Sequence, residues 1–193
     1  MRSQNVRDIM LPLGEYVVVT EGTSLFDALL ALEVARSRRP PHSPRLWAVL
    51  VADKSGHIVG KLGMRAFLAA LEPKYETLGD LDQLNQAGLS PDFLESILDN
   101  YRFWQDDRED IRRRANTLHV CQAMQPIHIS IGPDASLAKA IHLFVMWNTL
   151  SLLVVEDDRA VGILRLSDLF QHVSAYVTSG DCRNGENMTR RTD

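Results

Sequence analysis

The sequence is poor in the features that mark several classes of protein. Only two of its 193 residues are cysteines, so a disulfide framework is not expected and a reducing compartment fits better. The formal net charge of -4 argues against general nucleic-acid binding, which needs a basic surface. No apolar run approaches the roughly 18 residues of a membrane-spanning helix, and no charged and then apolar leader opens the chain. We therefore expect a soluble, cytoplasmic protein.

Motifs of catalysis and of metal binding are also missing. The sequence has no phosphate-binding loop, no dinucleotide-binding glycine pattern and no nucleophile elbow, so it does not predict an enzyme. His119, Cys121 and His128 come nearest to a metal site, but their spacing fits no recurring zinc pattern. We predict neither catalytic residues nor a bound metal.

What the chain does contain is an internal repeat. Residues 6–12 match residues 120–126 in the placing of Val, Met and Pro. Each copy continues into a β-branched stretch and then into an amphipathic helix with a Ser cap. An apolar strand, a polar turn, a second strand around Gly60 or Gly162 and a closing helix complete each copy. A duplicated unit of this kind decides the architecture of the chain.

The first copy carries about ten more residues than the second between its helix and its next strand. The segment 36–45 lies there, and its three prolines predict a loop. Its four arginines could hold a phosphate or an acidic partner, although a solvated surface insertion also explains them.

The repeat divides the chain into four predicted segments. These are a first unit at 5–72, a helical segment at 73–117, a second unit at 118–178 and a flexible tail at 179–193. In the helical segment Ser90-Pro91-Asp92 predicts a helix start, and a second, polar helix is expected from about Asp107 to Ala115. The first helix carries an apolar stripe at helical spacing, which could cover the units, form a dimer contact or meet a partner protein. Its residues are Leu94, Ile97, Leu98, Tyr101 and Trp104.

The junction from Val161 to Phe170 is the best candidate for a binding edge. An apolar strand passes through Gly162 and ends at Ser167 and Asp168, ahead of further apolar residues. This pattern predicts a strand followed by a helix. We expect the side-chain oxygens of Ser167 and Asp168 to cap that helix, at a place where polar groups of a ligand are also commonly bound.

Two units with a Val-x-x-x-Met-x-Pro opening, the second closing on Gly-Ile-Leu-x-x-Ser-Asp-Leu, resemble a tandem pair of CBS domains, named after cystathionine β-synthase. The resemblance implies a mixed α/β fold. In it, two β-α-β-β-α units pack as a pseudo-symmetric pair, with a helical insertion between them. Members of that family commonly bind adenine nucleotides or S-adenosylmethionine in clefts between the paired domains, assemble as dimers, and regulate an attached or associated enzyme or transporter.

The family's ligand motif is Gly-h-h-Thr/Ser-x-x-Asp, where h is apolar, the aspartate takes the ribose hydroxyls and the Thr/Ser takes phosphate. Asp168 matches the aspartate. Arg165 stands at the Thr/Ser position, where it could reach the phosphate as a cation or pair with the acidic residues of the turn 156–158. In the first copy the two positions hold Gly63 and Ala66, so we expect at most one well-equipped site per chain.

Besides Asp168 and Arg165, five residues of the second copy are candidates for ligand contact: Ile127, His128, Ile129, Ser151 and Ser167. The first three would line an apolar slot for a flat base, although His128 alternates with its neighbours and so points to the opposite face. The two serines would offer hydroxyls. An ordinary helix cap is an equally simple explanation for Ser167 and Asp168.

The leading hypothesis is therefore a regulatory module that dimerises, binds AMP, ADP, ATP or S-adenosylmethionine as a signal, and acts on a partner protein without an obligatory cofactor. The alternative is a ligand-free homodimeric scaffold or adaptor, in which nucleotide binding has decayed and the helical segment 90–116 makes the protein contact. The sequence alone selects neither the ligand nor the partner.

Overall fold

The computed structural model describes residues 4–41, 43, 45–77, 88 and 90–179. The strands in chain order are β1 (Leu11–Pro12), β2 (Val18–Thr20), β3 (Ala48–Ala52), β4 (Ile58–Gly63), β5 (Gln125–Pro126), β6 (Ser130–Ile131), β7 (Ser151–Glu156) and β8 (Arg159–Arg165). The helices are α1 (Leu25–Ser37), α2 (Met64–Leu71), α3 (Lys74–Thr77), α4 (Pro91–Tyr101), α5 (Arg108–Thr117), α6 (Val120–Ala123), α7 (Leu137–Trp147) and α8 (Leu166–Thr178). Within the described ranges, none of the helices combines the length and the apolar character needed to cross a membrane.

The described residues form two compact units. The central unit is Val17–Pro126. The terminal unit combines the described residues up to Tyr16 with those from Ile127 onward. Each unit contains one four-stranded sheet, so the repeat in the sequence is a repeat of structure, and the predicted mixed α/β fold of two tandem units is confirmed.

The central sheet has the strand order β2-β3-β4-β5. β2 pairs parallel with β3, with α1 between them in the chain, and β3, β4 and β5 pair antiparallel. β3 is an apolar run that is buried almost throughout, as suits a strand with neighbours on both sides. Asp53 shapes the turn into β4, because its Oδ1 accepts from the backbone N–H groups of Ser55 (2.8 Å) and His57 (3.0 Å).

The terminal sheet repeats this plan with the order β1-β8-β7-β6. β6 pairs parallel with β7, with α7 between them in the chain, and β7, β8 and β1 pair antiparallel. In the β7–β8 turn, Asp157 and Asp158 have φ values of +47° and +61°, a left-handed geometry that aspartate tolerates in tight hairpins. The core of this unit is built from nine buried apolar residues: Val6, Ile131, Leu137, Ala140, Phe144, Leu152, Val154, Leu164 and Leu169.

The Met-x-Pro segment of each sequence copy forms an edge strand in the sheet of the other repeat. β1, from the start of the first sequence copy, pairs with β8, where Leu11 lies opposite Ile163. β5, from the start of the second copy, pairs with β4 beside Gly60. The compact units therefore differ from the sequence copies at 5–72 and 118–178 by an exchange of their first segments.

A Cβ on the receiving strand would be crowded at both of these pairings. A Cβ on Gly162 would lie 2.6 Å from the carbonyl oxygen of Leu11 and 3.0 Å from Met10 Sδ. A Cβ on Gly60 would collide with Met124 Sδ. The repeated glycine and the repeated Met-x-Pro are thus two sides of one contact.

The first helix of each repeat begins as predicted. Ser24 Oγ accepts from the Asp27 N–H (3.0 Å) at the start of α1, and Ser136 Oγ accepts from the Lys139 N–H (3.3 Å) at the start of α7. These bonds satisfy N–H groups that the first turn of a helix leaves without a partner in the helix.

The helical middle departs from its prediction at one point. α4 begins at Pro91 as expected, and Ser90 Oγ accepts from the Phe93 N–H (3.2 Å). It ends at Tyr101, however, and Trp104 lies beyond it with a φ of +59°, so the predicted stripe does not extend along one helix to Trp104. Of the predicted segments, residues 42, 44, 78–87, 89 and 180–193 lie outside the described residues.

A buried glutamate organises the loop after α4. Glu72 is 1% exposed, and its carboxylate accepts from the backbone N–H groups of Trp104 (2.6 Å) and Lys74 (3.3 Å). Lys74 Nζ in turn donates to the carbonyl oxygen of Arg102 (2.8 Å). Because a buried carboxylate is costly unless it is hydrogen-bonded, these bonds fix the loop in which Arg102 and Trp104 take positive φ and Phe103 is buried between them.

Candidate functional site

The candidate binding edge lies where β8 ends at Arg165 and α8 begins at Leu166. Arg165 pairs across the sheet with Ser151, the first residue of β7. The Leu166 N–H donates to the carbonyl oxygen of Leu150 (3.0 Å). These contacts hold the end of β8 against its neighbour and so fix the direction in which α8 leaves the sheet.

Ser167 and Asp168 lie inside the first turn of α8. Arg165 occupies the N-cap position with extended backbone, and the helix start has no side-chain cap. The prediction that Ser167 and Asp168 cap this helix is therefore wrong. Asp168 instead places a carboxylate in the first turn, where the helix dipole stabilises negative charge.

Arg165 and Asp168 form a two-point ion pair. Arg165 Nε donates to Asp168 Oδ2 (2.6 Å), and Arg165 Nη2 donates to Asp168 Oδ1 (2.7 Å). The two side chains are 11% and 17% exposed, so solvent screens them less than it screens a surface pair. Ser167 Oγ lies 3.5 Å from Asp168 Oδ1, at the limit of a hydrogen bond. Glu156, one of the acidic residues considered for Arg165, accepts from Arg7 (2.6 Å).

Tyr16 is a neighbour of this ion pair that the sequence does not reveal. It is half-buried and follows the short 3-10 turn after β1. Burial raises the pKa of the Tyr16 hydroxyl, the charge of Arg165 lowers it by a smaller amount, and the charge of Asp168 raises it. The proximity of Tyr16 to the pair depends on the exchange of first segments between the repeats, so no spacing within either sequence copy signals it.

Ser151 and the segment before β6 approach the same end of the terminal sheet. Ser151 is half-buried and lies opposite Arg165. β6 begins at Ser130, opposite Leu153 of β7. Because β6 and β7 run parallel, the residues that precede Ser130 lead toward the end of the sheet at which Ser151 and Arg165 pair.

The residues of that segment alternate in burial as the sequence predicts. Ile127 and Ile129 are half-buried, whereas His128 is exposed, and Ile129 packs against the core of the terminal unit. The structure thus brings Arg165, Asp168, Ser167 and Ser151 together at one strand–helix junction, and it places the segment 127–129 on the approach to that end of the sheet.

The equivalent junction of the central unit has the same backbone and different chemistry. β4 ends at Gly63, α2 begins at Met64, and this helix start also has no side-chain cap. Gly63 stands at the position of Arg165, and Ala66 stands at the position of Asp168. Of the two junctions, that of the terminal unit is therefore the one with a guanidinium and a carboxylate at these two positions.

A cavity of about 310 Å³ lies in the central unit at the end of α1 and in the insertion that follows it. It is lined by Glu33, Arg36, Ser37, Arg39, Pro40, Pro41, Ser43 and Arg45. Arg36 donates to Glu33 (2.6 Å) and stacks on the ring of Trp47 at 4.3 Å. Three of the four arginines of the predicted loop thus line one concave surface, although basic residues after a helix are also what its dipole favours.

The candidate site offers chemistry for binding. It holds carboxylate acceptors, guanidinium donors and hydroxyl groups, which together suit a ligand with a diol and an anionic group. Among the residues that the structure describes, no group of three or more His, Cys, Asp or Glu is placed to hold a metal ion. Of the residues considered for a metal, His119 takes the N-cap position of α6 and Cys121 is an exposed thiol.

Two repeated units with exchanged first strands, each joining a mixed sheet to flanking helices, define a duplicated α/β module. The family model of the CBS domain matches residues 6–73 and 120–175. The chain belongs to the CBS domain family as a tandem pair, which confirms the resemblance drawn from its motifs. CBS pairs are generally regulatory modules without catalytic activity of their own.

Solved structures share this fold at low sequence identity. The CBS domain of a CBS domain-containing membrane protein from Sphaerobacter thermophilus is 21% identical, with 89% of this chain and 88% of that chain covered and a TM-score of 0.59. CBSX2, a protein of Arabidopsis thaliana, in complex with AMP is 20% identical, with 91% and 99% covered and a TM-score of 0.55. A CBS domain-containing protein of unknown function from Bacillus anthracis str. Ames Ancestor is 17% identical, with 90% and 94% covered and a TM-score of 0.59. The search of curated proteins gives no match.

Proposed function

We propose that this CBS pair is a regulatory module that binds an adenosine-containing ligand at the Asp168 junction and signals its presence to a partner protein. Asp168 carries the proposal, because a largely covered carboxylate stands at the motif position in the first turn of α8. An ionised carboxylate can accept from both hydroxyls of a ribose at once. The complex of CBSX2 with AMP supports the ligand class, which comprises AMP, ADP, ATP and S-adenosylmethionine.

The other junction residues would complete the contacts of such a ligand. Arg165 would meet its phosphate, and the hydroxyls of Ser151 and Ser167 would add hydrogen bonds. The half-buried Ile127 and Ile129 would face the base, with the exposed His128 at its edge. The ligand acts as a signal and is not turned over, and a cytoplasmic setting, where these nucleotides are abundant, is part of the proposal.

Thermal unfolding against a panel of these ligands tests the proposal. A ligand present at 100 times its dissociation constant adds about 2.7 kcal/mol to the native state, which should raise the melting temperature of a chain of this size by roughly 5–10 °C. Asp168→Ala should abolish that rise. Asp110→Ala is the matched control, since Asp110 also pairs with an arginine three residues away on a helix. A rise that survives in Asp168→Ala would contradict the site.

We also propose that the module is a homodimer formed through helix faces that both repeats leave exposed. Leu68 of α2 and Phe170 of α8 occupy equivalent positions and are 55% and 70% exposed. Met64 and Leu166, also equivalent, are exposed one turn earlier. Large apolar side chains exposed at the same positions of both repeats favour a surface that a second copy covers. Sedimentation should give a dimer for the wild type and a monomer for the double variant Leu68→Glu/Phe170→Glu.

The scaffold without a ligand remains a second candidate because of α4. Its Phe93 and Leu94 are exposed, so these two side chains are available to a second copy of the chain. On this reading Leu94→Glu, and not Phe170→Glu, should break the dimer, and no ligand of the panel should change the melting temperature. Tyr101 and Trp104 are poor choices for that test, because Tyr101 stacks on Phe103 and Trp104 is bound by Glu72.

A further inference from the structure

We propose that the cavity at the end of α1 is a second binding site, which takes a small anion carrying a phosphate group. The site goes beyond the proposed function, because it lies in the central unit and shares no residue with the Asp168 junction. It also depends on residues that one repeat alone possesses. The connection from α1 to β3 contains the insertion 36–45, whereas residues 148–150 alone join α7 to β7.

The cavity has the size and the lining of a site for a small, polar molecule. Its volume of about 310 Å³ lies at the lower end of the range for small-molecule sites. Three arginines, one glutamate, two serines and two prolines line it, so three positive charges face one negative charge. Since no large apolar side chain is among these described lining residues, hydrogen bonds and charge would provide the affinity.

Arg36 is held in place and keeps donors for a ligand. Its side chain is 22% exposed, its guanidinium stacks on the ring of Trp47 at 4.3 Å, and its Nη1 donates to Glu33 Oε1 (2.6 Å). Within the described part of the chain, this is the one side-chain hydrogen bond of Arg36. A guanidinium has five N–H donors in one plane, so the edge formed by Nε and Nη2 can bind two oxygens of a phosphate.

Ser43 offers a second donor to the same cavity. Its N–H donates to the carbonyl oxygen of Pro40 (2.9 Å), and this turn positions the half-buried serine, whose hydroxyl can donate to a phosphate oxygen. Arg39 and Arg45 have interactions of their own. We therefore assign the direct contacts to Arg36 and Ser43, and the other two arginines add positive charge to the lining.

The dipole of α1 does not by itself account for this arrangement. It favours basic residues at the end of the helix, but it does not select which of them line a cavity. Arg38, the C-cap residue, is exposed and lies outside the lining. Arg36 and Arg39 are half-buried and line the same concave surface, which agrees with their spacing of three residues. The inward-facing arginines thus define a place for an anion.

Isothermal titration calorimetry of the full chain with inorganic pyrophosphate tests the proposal. The wild type should bind it saturably. Arg36→Gln should weaken the binding about 10- to 100-fold, as expected when charge-assisted hydrogen bonds to one anion are lost. Arg38→Gln is the matched control, because it removes an equal charge from the same segment but not from the lining. Its affinity should stay within about twofold of the wild type, since exposed charges contribute little.

Glu33→Gln should change the affinity in the opposite direction. It removes the negative charge of the lining and releases Nη1 of Arg36, so pyrophosphate should bind about two- to fivefold more tightly. A variant that folds poorly does not gain affinity, so this arm decides the question even if Arg36→Gln is unstable. Unchanged or weaker binding by Glu33→Gln would count against the site.

Four further results would overturn the proposal. The first is no binding of pyrophosphate by the wild type, and the second is equal binding by Arg36→Gln and Arg38→Gln. In the third, binding is lost in Arg165→Thr and kept in Arg36→Gln, which would place the anion at the Asp168 junction. The fourth concerns a heptapeptide with a central phosphoserine. If it binds more than about tenfold more tightly than pyrophosphate, the ligand is a phosphorylated protein segment and not a small anion.

Discussion

Replacing Gly162 by alanine tests the contact that joins the exchanged β1 strand to the terminal sheet. The added Cβ would lie 2.6 Å from the carbonyl oxygen of Leu11 and 3.0 Å from Met10 Sδ. The first of these atoms belongs to the backbone of a paired strand, so it cannot rotate away as a side chain can. Either β1 moves off β8, or β8 bends at the position before the Arg165 junction.

The size of the effect follows from two opposing contributions. Forcing an extra carbon into a packed site costs about 1–3 kcal/mol. Alanine also restricts the unfolded chain more than glycine does, which raises the free energy of unfolding by about 0.4–1 kcal/mol. We therefore expect Gly162→Ala to lower the free energy of unfolding by about 1–2 kcal/mol, which corresponds to a fall of roughly 2–8 °C in the melting temperature.

Urea unfolding, followed by circular dichroism, measures this change against two other variants. Gly132→Ala is the control, because a Cβ there meets nothing within 4 Å, and its stability should equal or slightly exceed that of the wild type. The stability of Gly60→Ala should lie between those of Gly162→Ala and Gly132→Ala, because the nearest atom to its Cβ belongs to the flexible thioether of Met124. Equal stability of Gly162→Ala and Gly132→Ala would refute the close approach of β1 and β8.

Two further predictions concern buried groups. Glu72→Ala should lower the free energy of unfolding by about 2–4 kcal/mol, because the backbone N–H groups of Trp104 and Lys74 lose their buried acceptor. Glu72→Gln keeps one acceptor oxygen and should therefore lower the free energy of unfolding by less. An unchanged urea midpoint in Glu72→Ala would contradict the role of this carboxylate. Burial raises the pKa of Tyr16, so above a pH of about 10 the unfolded chain loses that proton first and stability falls as the pH rises. Tyr16→Phe should remove part of that fall, and an alkaline stability curve equal to that of the wild type would argue against the burial of the Tyr16 hydroxyl.

The architecture could be predicted because the repeated residues have local or pairwise roles. Ser24 and Ser136 begin helices whose first turns need an acceptor. Gly60 and Gly162 allow a Met-x-Pro strand to approach. Because each copy needs the same residue for the same role, that residue occurs twice in the sequence. Aligning the two copies then predicts the order of the helices and strands.

The exchange of first segments could not be predicted in the same way. Both copies open on the same Val-x-x-x-Met-x-Pro pattern, so the pattern does not tell which receiving strand each opening segment pairs with. The choice between them is made by long-range contacts, such as the pairing of Leu11 with Ile163. Tyr16 reaches the neighbourhood of Asp168 only through that exchange, which is why it is absent from the predicted site.

Charged groups were the second reason why the structure differs from what the sequence predicts. Glutamate is rarely buried unless it is paired, so nothing in the sequence distinguishes Glu72 from its exposed counterparts. Arg165 and Asp168 are three residues apart, a spacing at which side chains on one helix face can meet. The sequence predicts their pairing only if α8 is known to begin at Leu166, before Asp168, because Asp168 then lies in the first turn of the helix.

The most direct test of the account is equilibrium dialysis of AMP against the full chain, with the number of bound molecules and the affinity measured together. The account predicts saturation at one AMP per chain, because Ala66 leaves the central junction without the carboxylate that Asp168 supplies. It also predicts loss of binding in Asp168→Asn and wild-type binding in Asp110→Asn. Saturable binding that is unchanged in Asp168→Asn, or no binding by the wild type, would contradict the assignment of this junction as the ligand site.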